Sequence, residues 1–417
     1  MTYDQTRDSE QLSYLDDAIA EFISRYNFNV QSTGRRTIIF FPGGMGSRLL
    51  RATTPEPDGP PFFYDTVWLD GSIAFGAASH LRMQHDIDYQ QQVVVPDGPL
   101  DLFILRPYED FIEWCENNSV DYFIFGWDWR RDPQKSVDFF LNVFMPRFEQ
   151  RVSGCVPNPL AHLSLVGHSF GGMIVKLILN QQNNPYVQLV HSAVTVATPF
   201  YGYGGQLGRY FIGDPDLYLF YSKRNLVRIV SSLAGGYTLM FLDEETFQRD
   251  GAALGNDPQF PLPNYPVLDA ITGARADPYA PGSNGGMVRY PQNYGFNPVH
   301  LARAKLMCQQ VAAPFASPAI NDKFFNIRGV QTDNNAAIRN DTVNNQTWDW
   351  IAPNFDPNAD NSPIVDYLGP GDGTLPAWST RLVSAPPANV RTLLGDDIEH
   401  MWMMGHPQVT NALQMVI

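Results

Sequence analysis

Short apolar runs recur along the chain, separated by polar or glycine-rich punctuation. The first, Thr37 to Phe41 (TIIFF), is stopped by Pro42-Gly43-Gly44. Similar runs follow at 120–127 (VDYFIFGW), 163–167 (LSLVG), 192–198 (SAVTVAT), 324–330 (FFNIRGV) and 389–394 (NVRTLL). Continuous apolar runs of this length between turn residues predict strands buried on both faces, as in a parallel sheet. Helical spacing marks YEDFIEWCENN (108–118) and SVDFFLNVFMPRFEQ (136–150), which lie between the early runs. Strand and helix in alternation predict an α/β fold with a mostly parallel central sheet and helices on its faces.

Other stretches break this rhythm and suggest a division of the chain. Residues 1–36 form a helical arm, because Leu12, Leu15, Ile19, Phe22 and Ile23 fall on one face of 9–26. Residues 37–199 and 323–417 carry the core. Within them, 48–100 is a lid-like excursion with loop signals and an aromatic cluster, FFYDTVWLD, which either covers a greasy substrate or packs under a cap. Residues 200–322 are rich in Gly, Pro, Tyr and Asn, with helical patterns at 216–233 and 297–311. So long a span between two strands exceeds a loop and reads as a cap subdomain. Residues 331–363, dense in Asn and Asp, read as a surface excursion.

Composition narrows the function. Of 417 residues, 44% are hydrophobic and 17% charged, which permits a large core and excludes global disorder. With 28 basic against 43 acidic residues the net charge is -15, which excludes nucleic acid and gives no support to docking on an anionic membrane surface. Cys115, Cys155 and Cys308 are too few and too scattered for a disulfide framework or a zinc site. The acidic N-terminus has no secretory pattern, and no window approaches the ~20 apolar residues of a membrane span, so a cytoplasmic protein is expected.

Gly167-His168-Ser169-Phe170-Gly171 fits G-x-S-x-G, between a buried strand and the apolar helix FGGMIVKLIL. A sharp strand-to-helix turn at the serine crowds the positions two away, where a Cβ would clash. The turn lifts the hydroxyl out of the sheet and sets the next N–H at a helix N-terminus, ready for an oxyanion. Ser169 is therefore the candidate nucleophile. It needs an imidazole base, and the base needs a carboxylate. Asp372, in GPGDGTLPAWS, and His400, in LLGDDIEHMWMMGHP, follow the late strands in the order serine, acid, histidine. His406 is a rival base and Asp396 and Asp397 are rival acids. His168, His191 and His300 read as packing or surface residues. Asp128 and Arg130 in WDWRR read as a buried ion pair. Asp356 to Asn361 weakly matches a calcium loop, but Tyr367 stands where its glutamate belongs.

An ordered set of segments resembles the lecithin:cholesterol acyltransferase family, with its lysosomal phospholipase A2 and phospholipid:diacylglycerol acyltransferase relatives. FFPGGMGSRLL is similar to that family's first strand and oxyanion loop, TVWLD to a segment near its lid, and GWDWRRDP to its Y-D-W-R stretch. GHSFGG resembles the nucleophile corner, TPFYGYGG the T-P-x-G-G that follows, GDGTLPAWS the acid loop and EHMWMM the histidine segment. The resemblance runs from residue 37 to about 410 and implies an α/β-hydrolase fold with Ser169 as nucleophile, Asp372 as acid and His400 as base. It also implies an oxyanion hole from the backbone N–H groups of Met45 and Phe170. Trp127 replaces the family tyrosine, and residues 48–100 lack the cysteines of the family's lid disulfide. The expected protein is an esterase or lipase, cleaving a lipid, lactone or other bulky ester without a metal or organic cofactor. Acyl transfer to an alcohol is the alternative chemistry, and a silent hydrolase-fold receptor the alternative class.

Overall fold

The computed structural model describes residues 3–25, 36–51, 66–68, 81–84, 87–88, 93–101, 106–155, 160–203, 206, 210, 223–240, 242–257, 262, 267–269, 277, 279, 297–331, 348–350 and 370–417. Among these, six strands form the central sheet: β1 (Thr37–Phe41), β2 (Asp121–Ile124), β3 (Leu163–His168), β4 (Val190–Val196), β5 (Phe324–Val330) and β6 (Val390–Leu394). Their order is β6-β5-β4-β3-β1-β2, and every neighbouring pair is parallel. β1 and β3 are buried along their whole length, which explains why their sequences run apolar without alternation.

The pleat of β1 distributes its side chains between two cores. Ile39 and Phe41 join one hydrophobic cluster, Ile38 and Phe40 the other. Three flanking helices lie mainly on the Ile39 side: α1 (Tyr3–Arg25), α4 (Phe170–Asn180) and α5 (Pro298–Ala312). α3 (Pro133–Phe139) lies there too and runs on through Phe140–Phe144 into Met145–Ser153. α2 (Glu109–Asn117) and α6 (Pro407–Val416) cover the Ile38 side. The helix expected at 136–150 thus extends at both ends, and it widens to a π-turn at Phe140–Phe144, where the Met145 N–H donates to the Phe140 carbonyl. Pro146, which has no N–H to give, follows directly.

Several elements depart from the apolar pattern, for polar reasons. α1 begins at Tyr3 rather than near residue 9, because its first turns are anchored by charge. Arg7 Nη2 donates to Asp128 Oδ2 at 3.1 Å, in a site where both side chains are buried. Arg130 grips Asp128 with two nitrogens at 2.9 and 2.8 Å and reaches Asp88 at 2.7 Å. Burial alone would raise the Asp128 carboxyl, but Arg130 and Arg7 outweigh it and hold it below the ordinary carboxylate range. The ion pair expected in WDWRR is therefore the centre of a network that also ties in α1 and residue 88.

Part of the lid-like stretch is regular. Ser47–Arg51 pairs antiparallel with Thr66–Trp68 and with Val94–Pro99. Val67 and Trp68 pack inside, with Trp68 edge-on to Trp129 at 5.4 Å between ring centroids. That part of FFYDTVW is core, and its first four residues lie outside the described set. Within 200–322 the described helices include Lys223–Val230, Glu244–Gly255 and α5. The calcium-like loop and most of 331–363 also lie outside the described residues.

α4 is buried all round, and so is its one charged residue, Lys176. Its ammonium donates to Asn180 Oδ1 at 2.7 Å and sits 3.9 Å above the Phe315 ring centroid. Burial, and then the charge of Arg249, lower its pKa from 10.5 to about 7. Between those two values the unfolded chain holds a proton that the folded chain has released, so stability rises with pH across this window and is lost as pH falls through about 7. Lys176→Met is expected to raise stability at pH 6 by about 1–3 kcal/mol. The gain should shrink towards pH 10.5, the ordinary lysine value. Urea midpoints of both proteins across that range check it.

Among the described residues no helix is long and apolar enough to cross a membrane. Cys115, Cys155 and Cys308 are unpaired.

Candidate active site

β1 leads to β2 on one side, and the chain then crosses back to β3 on the other side of β1. Such a reversal opens a crevice at the carboxyl ends of the two strands that part. Phe41, the last residue of β1, is in register with Gly167 of β3, so the loops leaving both strands meet in that crevice.

The serine corner sits there. Ser169 has φ 52° and ψ -124°, a left-handed backbone that strains any residue with a Cβ. A Cβ on Gly167 would come within 2.6 Å of the Gly172 Cα and the Gly171 carbonyl, and one on Gly171 would strike the carbonyls of Phe41 and Pro42. The two glycines of G-x-S-x-G are thus required by backbone proximity. Ser169 holds the N-cap position of α4 yet makes no capping hydrogen bond. Its Oγ lies instead 2.9 Å from His400 Nε2.

His400 opens a short 3-10 turn, His400–Gly405, in the loop after β6. Its Nδ1 is 2.8 Å from Asp372 Oδ2, and its own N–H donates to the Asp372 carbonyl at 2.8 Å. Asp372 is fully buried beyond β5. Its Oδ1 accepts the N–H groups of Thr374 at 3.1 Å and Leu375 at 2.7 Å, leaving Oδ2 for the imidazole. Ser169, His400 and Asp372 therefore form one hydrogen-bonded line from three distant parts of the sequence. A neutral His400 in this line carries its proton on Nδ1, facing the carboxylate, and offers Nε2 as acceptor to the serine hydroxyl.

The loop after β1 faces this line. Gly46 N–H donates to the Gly43 carbonyl at 3.0 Å, closing a turn in which Met45 has φ 64°. The Trp68 indole donates to the Met45 carbonyl at 2.8 Å and holds the turn from outside. The Gly43 N–H is taken by the Tyr108 hydroxyl at 2.8 Å. The N–H groups of Gly44, Met45 and Phe170 donate to no described residue. Position 44 lies against the Phe170 ring, so the turn rests on the first residue of α4.

The rival residues are elsewhere. His406 Nε2 is 3.3 Å from Asp397, while its Nδ1 accepts the Gln408 N–H and caps α6. Asp396 and Asp397 are exposed. His191 meets His162 edge-on, and His300 is buried against Tyr237. His168, expected as a packing or surface histidine, is buried but bonded at both nitrogens. Its Nε2 lies 2.9 Å from the His400 carbonyl and its Nδ1 3.2 Å from the Tyr108 hydroxyl. Tyr108 is the residue that sequence reasoning missed altogether. It is 65 positions from Gly43 and 60 from His168, and no local pattern links them.

No protein-family model matches the chain, and no curated protein matches it significantly. Solved structures do. A chain of the Tle4–Tli4 complex is 15% identical, with 91% of this chain and 97% of that one covered and a TM-score of 0.51. The mature lipase BlEst2 of Bacillus licheniformis is 12% identical over 94% of each chain, with a TM-score of 0.41. Esterase E22 is 14% identical, covering 93% of this chain and 91% of its own, with a TM-score of 0.29. At such identities the first likeness speaks for the fold alone. Together with the parallel sheet and its order, it gives this chain the α/β-hydrolase fold.

Proposed function

We propose that the protein is a serine hydrolase that cleaves carboxylic esters through an acyl-enzyme on Ser169. The observation that carries this reading is the line Ser169 Oγ, His400 Nε2 and Nδ1, Asp372 Oδ2, with separations of 2.9 and 2.8 Å, at a strained corner in the crevice of the sheet. Ser169 attacks the ester carbonyl while His400 takes its proton, and Asp372 balances the imidazolium. The tetrahedral oxyanion is received by the Phe170 amide at the start of α4 and the Met45 amide of the facing turn. Losing one such donor costs roughly 3–4 kcal/mol of transition-state stabilisation. His400 then protonates the leaving alcohol, and a water activated by the same base releases the acid.

The ordered motifs resembling the lecithin:cholesterol acyltransferase family, and a stretch of cap-like length at 200–322, favour a bulky lipid or lactone ester. No residue of that stretch is assigned to the substrate. The test is labelling by a fluorophosphonate, followed by a screen of p-nitrophenyl esters, long-chain lipids and lactones with and without alcohol acceptors. Labelling of the native protein that vanishes in Ser169→Ala, with turnover of at least one ester class, is the expected result. An unlabelled native protein would favour a binding role, and product esters formed with added alcohols would favour transfer over hydrolysis.

A further inference from the structure

A hydrogen-bonded chain runs under the candidate site and touches no reacting atom. The Gly43 N–H donates to the Tyr108 hydroxyl at 2.8 Å. That hydroxyl lies 3.2 Å from His168 Nδ1, and His168 Nε2 lies 2.9 Å from the carbonyl of His400. The last partner is a carbonyl, which can only accept, so Nε2 must carry the proton and Nδ1 must be the acceptor. Tyr108 then donates to Nδ1 and accepts from Gly43. Every bond in the chain has one donor and one acceptor, and the direction is fixed from the loop after β1 to the backbone of the candidate base.

We propose that Tyr108 and His168 are positioning residues that couple the turn carrying the Met45 amide to His400, so that oxyanion donor and base are held in one register. The proposal rests on the ester-hydrolase reading of Ser169. Three further observations support it. The ring centroids of His168 and His400 are 4.9 Å apart, so His168 fixes the base by ring contact as well as by hydrogen bond. Tyr108 and His168 are almost wholly buried, at 3% exposure each, which shields both partners from bulk water. Burial, and then the neighbouring His400 ring, drive the His168 pKa well below the ordinary imidazole value, while burial pushes the Tyr108 phenol up. His168 therefore stays neutral beside a base that must become cationic in each turnover, and Tyr108 keeps the proton it donates.

The choice of histidine just before the nucleophile follows from this role. At the end of β3 the side chain lies between the loop after β1 and the loop after β6, and two ring nitrogens span that gap. A glutamine at 168 can restore only the donor to the His400 carbonyl. An asparagine can restore only the acceptor for Tyr108. The two amides thus separate the arms of the chain.

The test uses the full chain, p-nitrophenyl ester turnover and the rate of fluorophosphonate labelling, with thermal unfolding as a check on folding. Tyr108→Phe and His168→Ala are each expected to lower kcat by about 10- to 100-fold with KM little changed, as a displaced catalytic group does. The double variant should fall little below the worse single one, because both cut one path. His168→Gln and His168→Asn, each of which restores one arm alone, should both stay well below the native kcat. Wild-type kcat in Tyr108→Phe, multiplicative losses in the double variant, or native kcat restored by either amide alone would each overturn the coupling. If His168→Ala does not fold, Tyr108→Phe and His168→Gln still decide the matter. Native protein that resists the fluorophosphonate removes the ester-hydrolase reading and the coupling with it. Labelled native protein with unaltered variants removes the coupling alone.

Discussion

Replacing Ser169 by alanine is expected to lower ester turnover by about 10⁶-fold, the loss typical when the nucleophile of a triad is removed. The expectation follows from geometry: among the described residues no second hydroxyl is hydrogen-bonded to His400 Nε2. The same position should show the opposite effect on stability when glycine is used. Ser169 sits at φ 52°, where a Cβ is strained and glycine is not. Ser169→Gly is thus expected to raise stability by about 1 kcal/mol while abolishing turnover, and Ser169→Ala to leave stability nearly unchanged. Turnover of a p-nitrophenyl ester and urea midpoints for the three proteins check both halves. Turnover retained in either variant would remove Ser169 from the chemistry. A glycine variant less stable than the alanine variant would remove the strain argument.

Asp372→Asn should be the second largest loss, roughly 10⁴-fold in kcat, with the fold intact. The asparagine oxygen can keep the amides of Thr374 and Leu375, which now bind Oδ1 at 3.1 and 2.7 Å. Its NH₂ then faces His400 Nδ1, where the carboxylate Oδ2 lies at 2.8 Å. A donor there forces the imidazole to place its proton on Nε2, towards Ser169, so it can no longer accept the serine proton. Steady-state rates beside thermal unfolding distinguish this tautomer effect from simple destabilisation. A variant with normal kcat would mean that the carboxylate serves only the loop of residues 370–376.

Much of this was legible because the fold writes itself in apolar runs. TIIFF and LSLVG are buried on both faces and read as strands with no further help. The serine corner was legible because two backbone clashes leave only glycine at 167 and 171. Strand ends were harder. VDYFIFGW continues apolar to Trp127, yet β2 stops at Ile124, since Gly126 runs close to the backbone of Gly98 and the Trp127 indole turns to the Pro42 carbonyl. The first turns of α1 were hidden because they are anchored by Arg7 through Asp128, a partner 121 residues away. The hydrogen-bond partners of Tyr108 and His168 were illegible for the same reason. Their roles depend on partners brought together by the sheet, and residue spacing carries no trace of such a meeting.

The proposed base, His400, stands behind the most weakly protected strand of the central sheet. Among the described residues β6 lies at one edge, pairs only with β5 within that sheet, and keeps three of its five residues half-buried and one exposed. β3, which presents the serine, is wholly interior. Fraying of that border would draw the imidazole away while the hydroxyl stayed in place on a sound scaffold. On the proposed reading, catalytic competence is therefore a more fragile property than foldedness in this molecule. Mild denaturant or heat should yield inert protein that still has its secondary structure and regains turnover once the border strand docks again.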